Sequence, residues 1–259
     1  QAAVEARYQA VVASCWDDPA VRQLRIDRYR AERVDGLIIA DAHTSDPLLR
    51  RLVEDAMPFV LVSRTSRGFP SVAGRDRFGG ELVATHLAGL GCHRPAVVAG
   101  PDYASTAIDR VAGFVAAATR LGMAVDRKLV VHSTFDVDGG HEAMSAILAG
   151  SSPDCVFAVN DFAAIGAIGA IREHGLEAGR DIAVVGYNDI SVVAKLPTPL
   201  TTVATPLADM GRAALSAMLA LIDGKEATRA RLTPRLVVRE STLDFAEARP
   251  KARTALRNR

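Results

Sequence analysis

Short apolar runs alternate with amphipathic runs along almost the whole chain, and this alternation predicts the fold class. The apolar runs are rich in Val, Ile, Leu and Ala without regular polar interruption, which is typical of parallel strands buried on both faces. We therefore predict an α/β fold of mainly parallel sheets flanked by helices. Strands are expected at residues 8–13, 36–40, 58–62, 95–99, 129–132, 155–159, 182–186 and 235–243, and helices at 22–32, 48–55, 79–90, 109–121, 141–148, 163–174 and Leu207–Ile222.

Glycine stands at the end of several predicted helices, where a residue in the left-handed conformation commonly stops a helix. The glycines in these positions are Gly91, Gly122, Gly150 and Gly175. Each is expected to mark the turn from a helix into the next strand.

Two interruptions of the rhythm, at residues 71–74 and 197–206, indicate that the chain forms two lobes. About nine strands are many for one sheet, and segments that cross between lobes would break the alternation. Crossings are expected at residues 71–74, 202–206 and 233–236. The predicted N-terminal lobe is 1–74 plus 205–230, the predicted C-terminal lobe is 75–204 plus 231–245, and residues 246–259 are expected to form a solvated tail.

Composition narrows the class of protein without naming a function. The chain has 259 residues, 49% of them hydrophobic and 24% charged, with a net charge of +1. This balance is typical of a globular protein, offers no strong electrostatic footprint for nucleic acid, and includes no apolar run long enough to cross a membrane. The three cysteines, Cys15, Cys92 and Cys155, have unrelated spacings, which favours free thiols in a reducing, cytoplasmic compartment.

Motifs for catalysis, metal binding and phosphate binding are not found in the sequence. The chain has no zinc-protease motif, nucleophile elbow, P-loop or metal-spaced Cys/His pairs, and its six histidines are scattered. Gly166 and Gly169 lie in a helical run that follows Asn-Asp, so close helix packing explains them better than a dinucleotide site. The sequence therefore predicts a protein that is not an enzyme, with no metal and no cofactor.

Polar residues follow two of the buried strands directly. Asn160 and Asp161 follow one strand, and Asn188 and Asp189 follow the next strand along the chain. Open α/β sheets bind ligands just beyond the carboxyl ends of their strands. These two polar steps therefore predict a ligand site at that edge.

Several motifs, in order, resemble the effector-binding core of the lactose-repressor (LacI/GalR) family of bacterial transcriptional regulators. They are VDGLIIA (34–40), PFVLVSR (58–64), GGELVATHLAGLGCHRPAVVAG (79–100), DRVAGF (109–114), VNDFAAIGAI (159–168), GRDIAVVGYND (179–189), PLTTVATPLADMG (199–211) and LVVREST (236–242). The resemblance covers almost the whole chain. It implies a two-lobed fold like that of type I periplasmic binding proteins, with a small sugar-like effector in a cleft between the lobes.

The resemblance also implies parts and partners beyond this chain. Members of the family carry an N-terminal helix-turn-helix that binds operator DNA, followed by the core's first strand, and both are expected to precede residue 1. A homodimer is implied, and no membrane. The helix Leu207–Ile222 could supply the dimer interface, although its apolar stripe could equally lie in the core of one chain.

By position in the family's motifs, Arg110, Asn160 and Asn188 are implied to contact the effector. A guanidinium offers a planar fork of donors for vicinal hydroxyls or a carboxylate, although Arg110 could instead form a surface ion pair with Asp109 or a nearby carboxylate. Asn160 could equally cap the following helix, or point to the effector while Asp161 caps. Asn188 stands where the family often has Asp, a change that removes a charge and adds a donor.

Phe135, Ser63 and Thr205 also match positions that line the family's ligand site. Phe135 would stack on an apolar face of the effector, but a single Phe is often a core residue. Ser63 and Thr205 end strands or crossing segments, where such residues are also common for turn reasons.

The sequence departs from the family at Arg75-Asp76, where Asp-Asn is usual. Arg75 could meet an anionic effector such as a phosphosugar or sugar acid. It could also pair with Asp76 or with a partner chain, and this second interpretation is favoured.

Two other classes of protein compete with this interpretation. A secreted sugar-binding protein of a transport system would have the same fold, but LVVREST and PLTTVATPLADMG are more typical of the regulators. An α/β enzyme would need a nucleophile or a cofactor loop, and the sequence shows neither.

Overall fold

The computed structural model describes residues 2–15, 18–227 and 229–248, and the described residues divide into two compact units. Unit 1 is drawn from Gln1–Gly74, Tyr103–Thr106 and Pro206–Leu232, and unit 2 from Arg75–Asp102, Ala107–Thr205 and the segment from Thr233 onward. The division differs from the predicted lobes at three places. Residues 103–106 and 231–232 belong to unit 1, and residue 205 belongs to unit 2.

The elements alternate between helix and strand along most of the chain. In order they are α1 (Ala2–Glu5), α2 (Pro19–Ala31), β1 (Leu37–Ile39), α3 (Pro47–Glu54), β2 (Phe59–Val62), β3 (Ser71–Gly74), α4 (Asp76–Gly89), β4 (Pro95–Ala99), α5 (Ser105–Arg120), β5 (Val130–His132), α6 (Val137–Gly150), β6 (Cys155–Ala158), α7 (Asp161–Glu173), β7 (Ala183–Asn188), β8 (Thr201–Ala204), α8 (Leu207–Ile222), β9 (Ala230–Leu232), β10 (Arg235–Val237) and α9 (Glu240–Ala248). Two single turns of 3₁₀-helix lie at Arg127–Leu129 and Val193–Lys195. No helix within the described ranges is long and apolar enough to cross a membrane.

Unit 1 contains a parallel sheet in the order β1-β2-β3-β9, covered on both faces. Leucines of α3 pack with Phe59 and Leu61 of β2 on one face. On the other face, Met210 and Met218 of α8 pack against Val60. The apolar stripe of α8 therefore lies in the core of unit 1, although Leu207 at its start is 53% exposed.

The segment Tyr103–Thr106 joins unit 1 through specific contacts. The amide of Thr44 donates to the Tyr103 carbonyl at 2.9 Å, and the amide of Thr65 donates to Ser105 Oγ at 2.8 Å. The ring of His43 also stacks on Tyr103, with 4.0 Å between centroids. These contacts fix the first turn of α5, which the hydrophobic pattern placed in the second lobe.

Unit 2 contains a sheet in the order β10-β8-β7-β6-β4-β5. All neighbouring strands are parallel except β10, which is antiparallel to β8. One face packs on α4 and α5 through residues such as Leu87 and Phe114, and the other packs on α6 and α7 through residues such as Met144 and Ile171. This architecture confirms the predicted α/β class with parallel sheets flanked by helices.

The predicted strand at residues 8–13 is wrong. This stretch has no regular structure, and Val11 and Val12 are 64% and 93% exposed. A β-strand needs a neighbouring strand to satisfy its backbone groups, and none in the described part of the chain pairs with this stretch. β-propensity alone therefore did not decide its conformation.

The predicted strand at 235–243 is also wrong in its second half, because the strand ends at Val237 and α9 begins at Glu240. Ser241 Oγ donates to the Val184 carbonyl at 2.7 Å and accepts from the Thr201 amide at 2.8 Å. These buried bonds hold the start of α9 against β7 and β8. Residues 246–248 of the predicted tail belong to α9, and 249–259 lie outside the described residues.

Four further local predictions change. β3, β8 and β9 are strands in stretches that were not predicted as strands. Gly91, Gly122 and Gly175 have positive φ, as helix-ending glycines do, with values of 78°, 81° and 74°. Gly150 does not, because it is the last residue of α6 and the chain leaves the helix through an extended Ser151.

Close packing of α6 on α7 explains Gly166, and it generates a test. A Cβ at Gly166 would lie 1.9 Å from the Val137 carbonyl oxygen, whereas one at Gly169 would meet only His141 Cδ2, at 3.6 Å. We expect Gly166→Ala to lower the free energy of unfolding by about 1–3 kcal/mol, because backbone must move. Gly169→Ala on the same helix is expected to be neutral or stabilising by up to about 1 kcal/mol.

Urea denaturation of both variants measures the difference. Equal stability of Gly166→Ala and Gly169→Ala would contradict the packing of α6 on α7 described above.

Candidate functional site

Polar side chains collect at the carboxyl edge of the parallel strands in unit 2. Asn160 follows β6, Asn188 is the last residue of β7, and Thr205 follows β8. Since these strands are parallel neighbours, their carboxyl ends meet at one edge of the sheet. Arg110, on the second turn of α5, reaches the same edge by bonding to the residue before Asn160.

Arg110 is the most constrained of these side chains, being only 4% exposed. Its Nε donates to Asp76 Oδ1 at 2.8 Å, and its Nη1 donates to the Val159 carbonyl at 2.8 Å. Its guanidinium carbon lies 3.7 Å from the centroid of the Tyr187 ring. Arg110 is therefore a buried, oriented cation and not the surface partner of Asp109. Within the described residues, its Nη2 makes no hydrogen bond.

Asp76 supplies the countercharge. It is the first residue of α4 and is 6% exposed, so its carboxylate lies at the positive end of a helix as well as against Arg110. The alternative pairing of Asp76 with Arg75 is wrong, because Asp76 bonds to Arg110. Arg75 is exposed, and its guanidinium carbon lies 5.1 Å from the centroid of the Phe78 ring.

Asn160 is the N-cap of α7. Its Oδ1 accepts from the Ala163 amide at 2.8 Å, and its Nδ2 donates to the Phe135 carbonyl at 2.7 Å. Asn160 therefore caps the helix, and the alternative in which Asp161 is the cap is wrong. Both ends of the Asn160 amide are engaged within unit 2, so its role as an effector contact stays a prediction.

Asp161 is a second buried charge near this edge, and its partners could not be inferred from the sequence. It is 1% exposed, its Oδ1 accepts from Thr202 Oγ1 at 2.6 Å, and its Oδ2 accepts from the Ile190 amide at 2.9 Å. Burial raises the pKa of Asp161 to about 6, against the effect of these two hydrogen bonds. Asp161 thus joins α7 to β8 and to the loop after β7.

The loop after β7 has an unusual backbone. Asn188 and Asp189 have positive φ, at 112° and 59°, a region that non-glycine residues seldom adopt. Asp189 Oδ1 accepts from Arg239 Nη2 at 2.7 Å, which holds the loop against the start of α9. Asn188 Oδ1 receives only a long bond of 3.5 Å, from Thr205 Oγ1, and its amide nitrogen makes none within the described ranges. The Asn188 side chain is half-buried and keeps free donor capacity.

The two remaining predicted residues are less informative. Phe135 is half-buried and packs partly against the core, with its ring filling the space beside Gly100. Ser63 follows β2 in unit 1, with φ of 67°, and its amide donates to the Val72 carbonyl at 2.8 Å. The structure thus brings Arg110 to Asp76, Phe135 to Asn160, and Thr205 to Asn188.

Tyr187 was missed by sequence reasoning, although the strand pattern contains a signal for it. Alternate residues of a strand point to opposite faces, so Tyr187 shares a face with Val185 while Asn188 shares one with Gly186. Tyr187 is fully buried, and burial raises its pKa. A tyrosine one residue before the polar end of a strand therefore points to the opposite face from that polar residue. In this strand the opposite face packs against the core.

One group of potential metal ligands lies elsewhere in unit 2. Cys92, Asp154 and Cys155 are buried, with ligand atoms within 4.8 Å of one another. Both Asp154 oxygens already accept backbone N–H groups, of His93 and Arg94, at 2.9 Å. Burial raises the pKa of Cys155, which keeps its thiol protonated. These contacts indicate a packed turn before β6 and do not favour a metal site.

Comparison with known proteins gives a consistent family. Residues 84–242 match the model of the periplasmic binding protein-like domain. The HTH-type transcriptional regulator MalR of Streptomyces coelicolor is 36% identical over 211 residues, which cover 78% of this chain and 61% of MalR. The chain therefore spans less than two thirds of this relative's length.

Solved structures agree with the sequence comparison. The transcriptional regulator CelR in complex with cellobiose is similar at a TM-score of 0.84 and 32% identity, covering 93% of this chain and 75% of that one. The lac repressor dimer bound to operator and the anti-inducer ONPF is similar at 0.81 and 28% identity, covering 93% of this chain and 86% of that one.

The raised pKa of Asp161 predicts a pH dependence of stability. Because the folded-state pKa of about 6 exceeds the ordinary 3.8, folding takes up a proton between these values. The contribution of Asp161 to the free energy of unfolding is fully present below pH 3.8 and is lost as the pH rises through about 6. The loss amounts to at most about 3 kcal/mol. Asp161→Asn is expected to remove this dependence.

Urea denaturation from pH 4 to 7 measures it as the difference between wild type and Asp161→Asn. His86 acts in the opposite direction, since burial lowers its pKa from 6.5 to about 4 and its contribution is lost on acidification. Both proteins retain His86, so the difference isolates Asp161. A difference that stays constant with pH would show that Asp161 has an ordinary pKa.

Proposed function

This chain belongs to the periplasmic binding protein-like family, and we propose that it is the effector-binding core of a LacI-type transcriptional regulator. It binds a small sugar-like molecule, and this binding alters the affinity of a homodimer for operator DNA. The DNA is contacted by an N-terminal region outside this chain. The regulators among its relatives, including the lac repressor dimer bound to operator, support this proposal over a transport protein.

The observation that carries the proposal is the state of Arg110. A buried guanidinium is costly unless it is paired, and here Asp76 and the Val159 carbonyl occupy Nε and Nη1. Nη2 is left as a fixed donor at the carboxyl edge of the sheet, where α/β proteins bind ligands. An oriented but incompletely bonded guanidinium is suited to the hydroxyls or carboxylate of a sugar derivative.

The neighbouring side chains support an effector that carries hydroxyl groups. Asn188 keeps both donor and acceptor capacity, which suits vicinal hydroxyls, and Thr205 can adjust its hydroxyl to either role. The cellobiose complex of CelR supports a neutral saccharide. Asn160, Phe135 and Ser63 are proposed as additional effector contacts.

Binding, and not catalysis, is the proposed activity, and the protein is proposed to act in the cytoplasm. A coupling free energy of about 1–3 kcal/mol between effector and operator would change operator affinity roughly 5- to 150-fold. A coupling of this size requires only that the effector bind one conformation of the dimer more tightly than another.

A thermal-shift screen with cellobiose, glucose, gluconate, glucose 6-phosphate and adenosine tests the proposal. A ligand present at about 100 times its Kd stabilises the folded state by about 2.7 kcal/mol, so one class is expected to raise Tm clearly. Turnover of a compound without any stabilisation would overturn the proposal in favour of an enzyme.

Acidic members of the panel also test Arg75, which is exposed and has no ion pair within the described residues. If its charge meets an anionic effector, Arg75→Ala is expected to weaken gluconate or glucose 6-phosphate binding while cellobiose binding stays unchanged. Equal binding of all three compounds by both proteins would exclude this role.

Arg110→Lys is the central variant. Lysine keeps the charge but cannot present a planar fork, so we expect effector affinity to fall about 10- to 100-fold, equivalent to roughly 1.5–3 kcal/mol for a bond to a charged group. Arg120→Lys on the same helix is the matched control, because Arg120 is exposed at the end of α5.

Isothermal titration of wild type and both variants with the compound found in the screen measures the effect. Equal affinity of Arg110→Lys and Arg120→Lys would remove Arg110 from the binding site.

A further inference from the structure

Tyr187 lies directly against the guanidinium of Arg110. It is the fifth residue of β7, its side chain is fully buried, and its ring centroid is 3.7 Å from the guanidinium carbon. The Tyr187 hydroxyl is buried and has no hydrogen-bond partner within the described part of the chain. The hydroxyl lies near Asp76 and Arg110 without forming a hydrogen bond of normal geometry, whereas the ring lies against the guanidinium.

The three contacts of Arg110 restrain different motions. Bonds from Nε to Asp76 and from Nη1 to the Val159 carbonyl lie near the guanidinium plane, so they fix its direction and rotation within that plane. They restrain tilting of the plane much less. An aromatic ring against the face of the guanidinium limits this tilt, because a cation is attracted to the ring face and cannot pass through it.

We propose that Tyr187 is a positioning residue for effector binding, whose ring sets the plane of Arg110 and so the direction of its free Nη2. This inference deepens the proposed function and rests on it for the identity of the ligand class, a saccharide or sugar acid. Tyr187 acts through Arg110 and touches no effector itself.

The space around the hydroxyl separates the ring's role from that of the oxygen. A Cβ at Gly79 would lie 2.1 Å from the Tyr187 oxygen, so the absence of a side chain on α4 makes room for the hydroxyl. The Tyr187 hydroxyl fills this room without forming a hydrogen bond of normal geometry. A buried hydroxyl without a partner destabilises the folded state. Phenylalanine should therefore replace tyrosine without loss of positioning.

Three variants test the proposal. Tyr187→Phe keeps the ring, Tyr187→Leu removes it, and Phe157→Leu is the matched control for losing an aromatic from the same core. Phe157 is fully buried in the neighbouring strand β6 and packs on Phe114, with 5.1 Å between ring centroids. Tyr187→Leu and Phe157→Leu are both expected to lower Tm, and Tyr187→Phe to leave it equal or higher.

The first readout needs no effector. The Nε–H signal of Arg110 in a ¹⁵N NMR spectrum, assigned by its loss in Arg110→Lys, should be shifted by the Tyr187 ring current and protected from exchange by Asp76. Tyr187→Phe and Phe157→Leu should keep both properties. Tyr187→Leu should move the signal. It should also raise the exchange rate at least about 10-fold, because the bond to Asp76 would open about ten times more often. An unchanged signal in Tyr187→Leu would overturn the proposal.

The second readout is affinity for whichever of cellobiose, gluconate and glucose 6-phosphate stabilises the wild type most. Tyr187→Leu should bind at least about 5-fold more weakly, while Tyr187→Phe and Phe157→Leu should stay within about 2-fold of wild type. Equal losses of affinity in Tyr187→Leu and Phe157→Leu would show that Tyr187 acts only as a core residue. If none of the three compounds binds the wild type, the proposed ligand class fails, and the NMR comparison still decides whether Tyr187 positions Arg110.

Discussion

The buried guanidinium of Arg110 is the charge around which the carboxyl edge of unit 2 is arranged. A cation that is 4% exposed requires a countercharge, and Asp76 provides it at 2.8 Å. This requirement ties the first residue of α4 to the second turn of α5, and the bond to the Val159 carbonyl ties both helices to the end of β6. The position of the edge therefore depends on one paired charge. Removal of either partner would leave the other buried without compensation.

A second set of buried polar contacts holds the other half of the edge. Asp161 joins the start of α7 to β8 through Thr202, and the buried hydroxyls of Ser241 and Thr242 join α9 to β7 and β8. These bonds leave few unused donors or acceptors. In contrast, Arg110 Nη2 and the Asn188 side-chain nitrogen make no hydrogen bond within the described residues. The contrast between satisfied and unsatisfied groups is the physical basis for the proposed ligand site.

Much of this architecture could be predicted from the sequence, because most strands of unit 2 are continuous apolar runs separated by amphipathic helical runs. The bounds of α8 were predicted correctly, since its apolar spacing is regular. The failures have a common cause in contacts between distant residues. Residues 8–13 have strand propensity but no partner strand, and the start of α9 is set by hydroxyl bonds to β7 and β8. The fixation of residues 103–106 on unit 1 also depends on contacts about 40 and 60 positions away.

The candidate site shows the same limit. Arg110 could be singled out from its motif, but its pairing with Asp76, 34 positions earlier, could not be inferred from local spacing. Local reasoning favoured pairing of Arg75 with Asp76 or with a partner chain, and it left the capping role open between Asn160 and Asp161. Tyr187 was missed, and the partners of Asp161 were not foreseen, because both roles depend on contacts across the fold. Residue type and order located the edge, and tertiary contacts assigned the roles.

A crystal structure of the chain with its tightest-binding sugar would show directly whether Arg110 contacts the effector. We expect a ligand oxygen about 3 Å from Arg110 Nη2, with the bonds to Asp76 and Val159 retained. A bound ligand that leaves Nη2 uncontacted, or that lies away from the carboxyl edge of unit 2, would contradict this expectation.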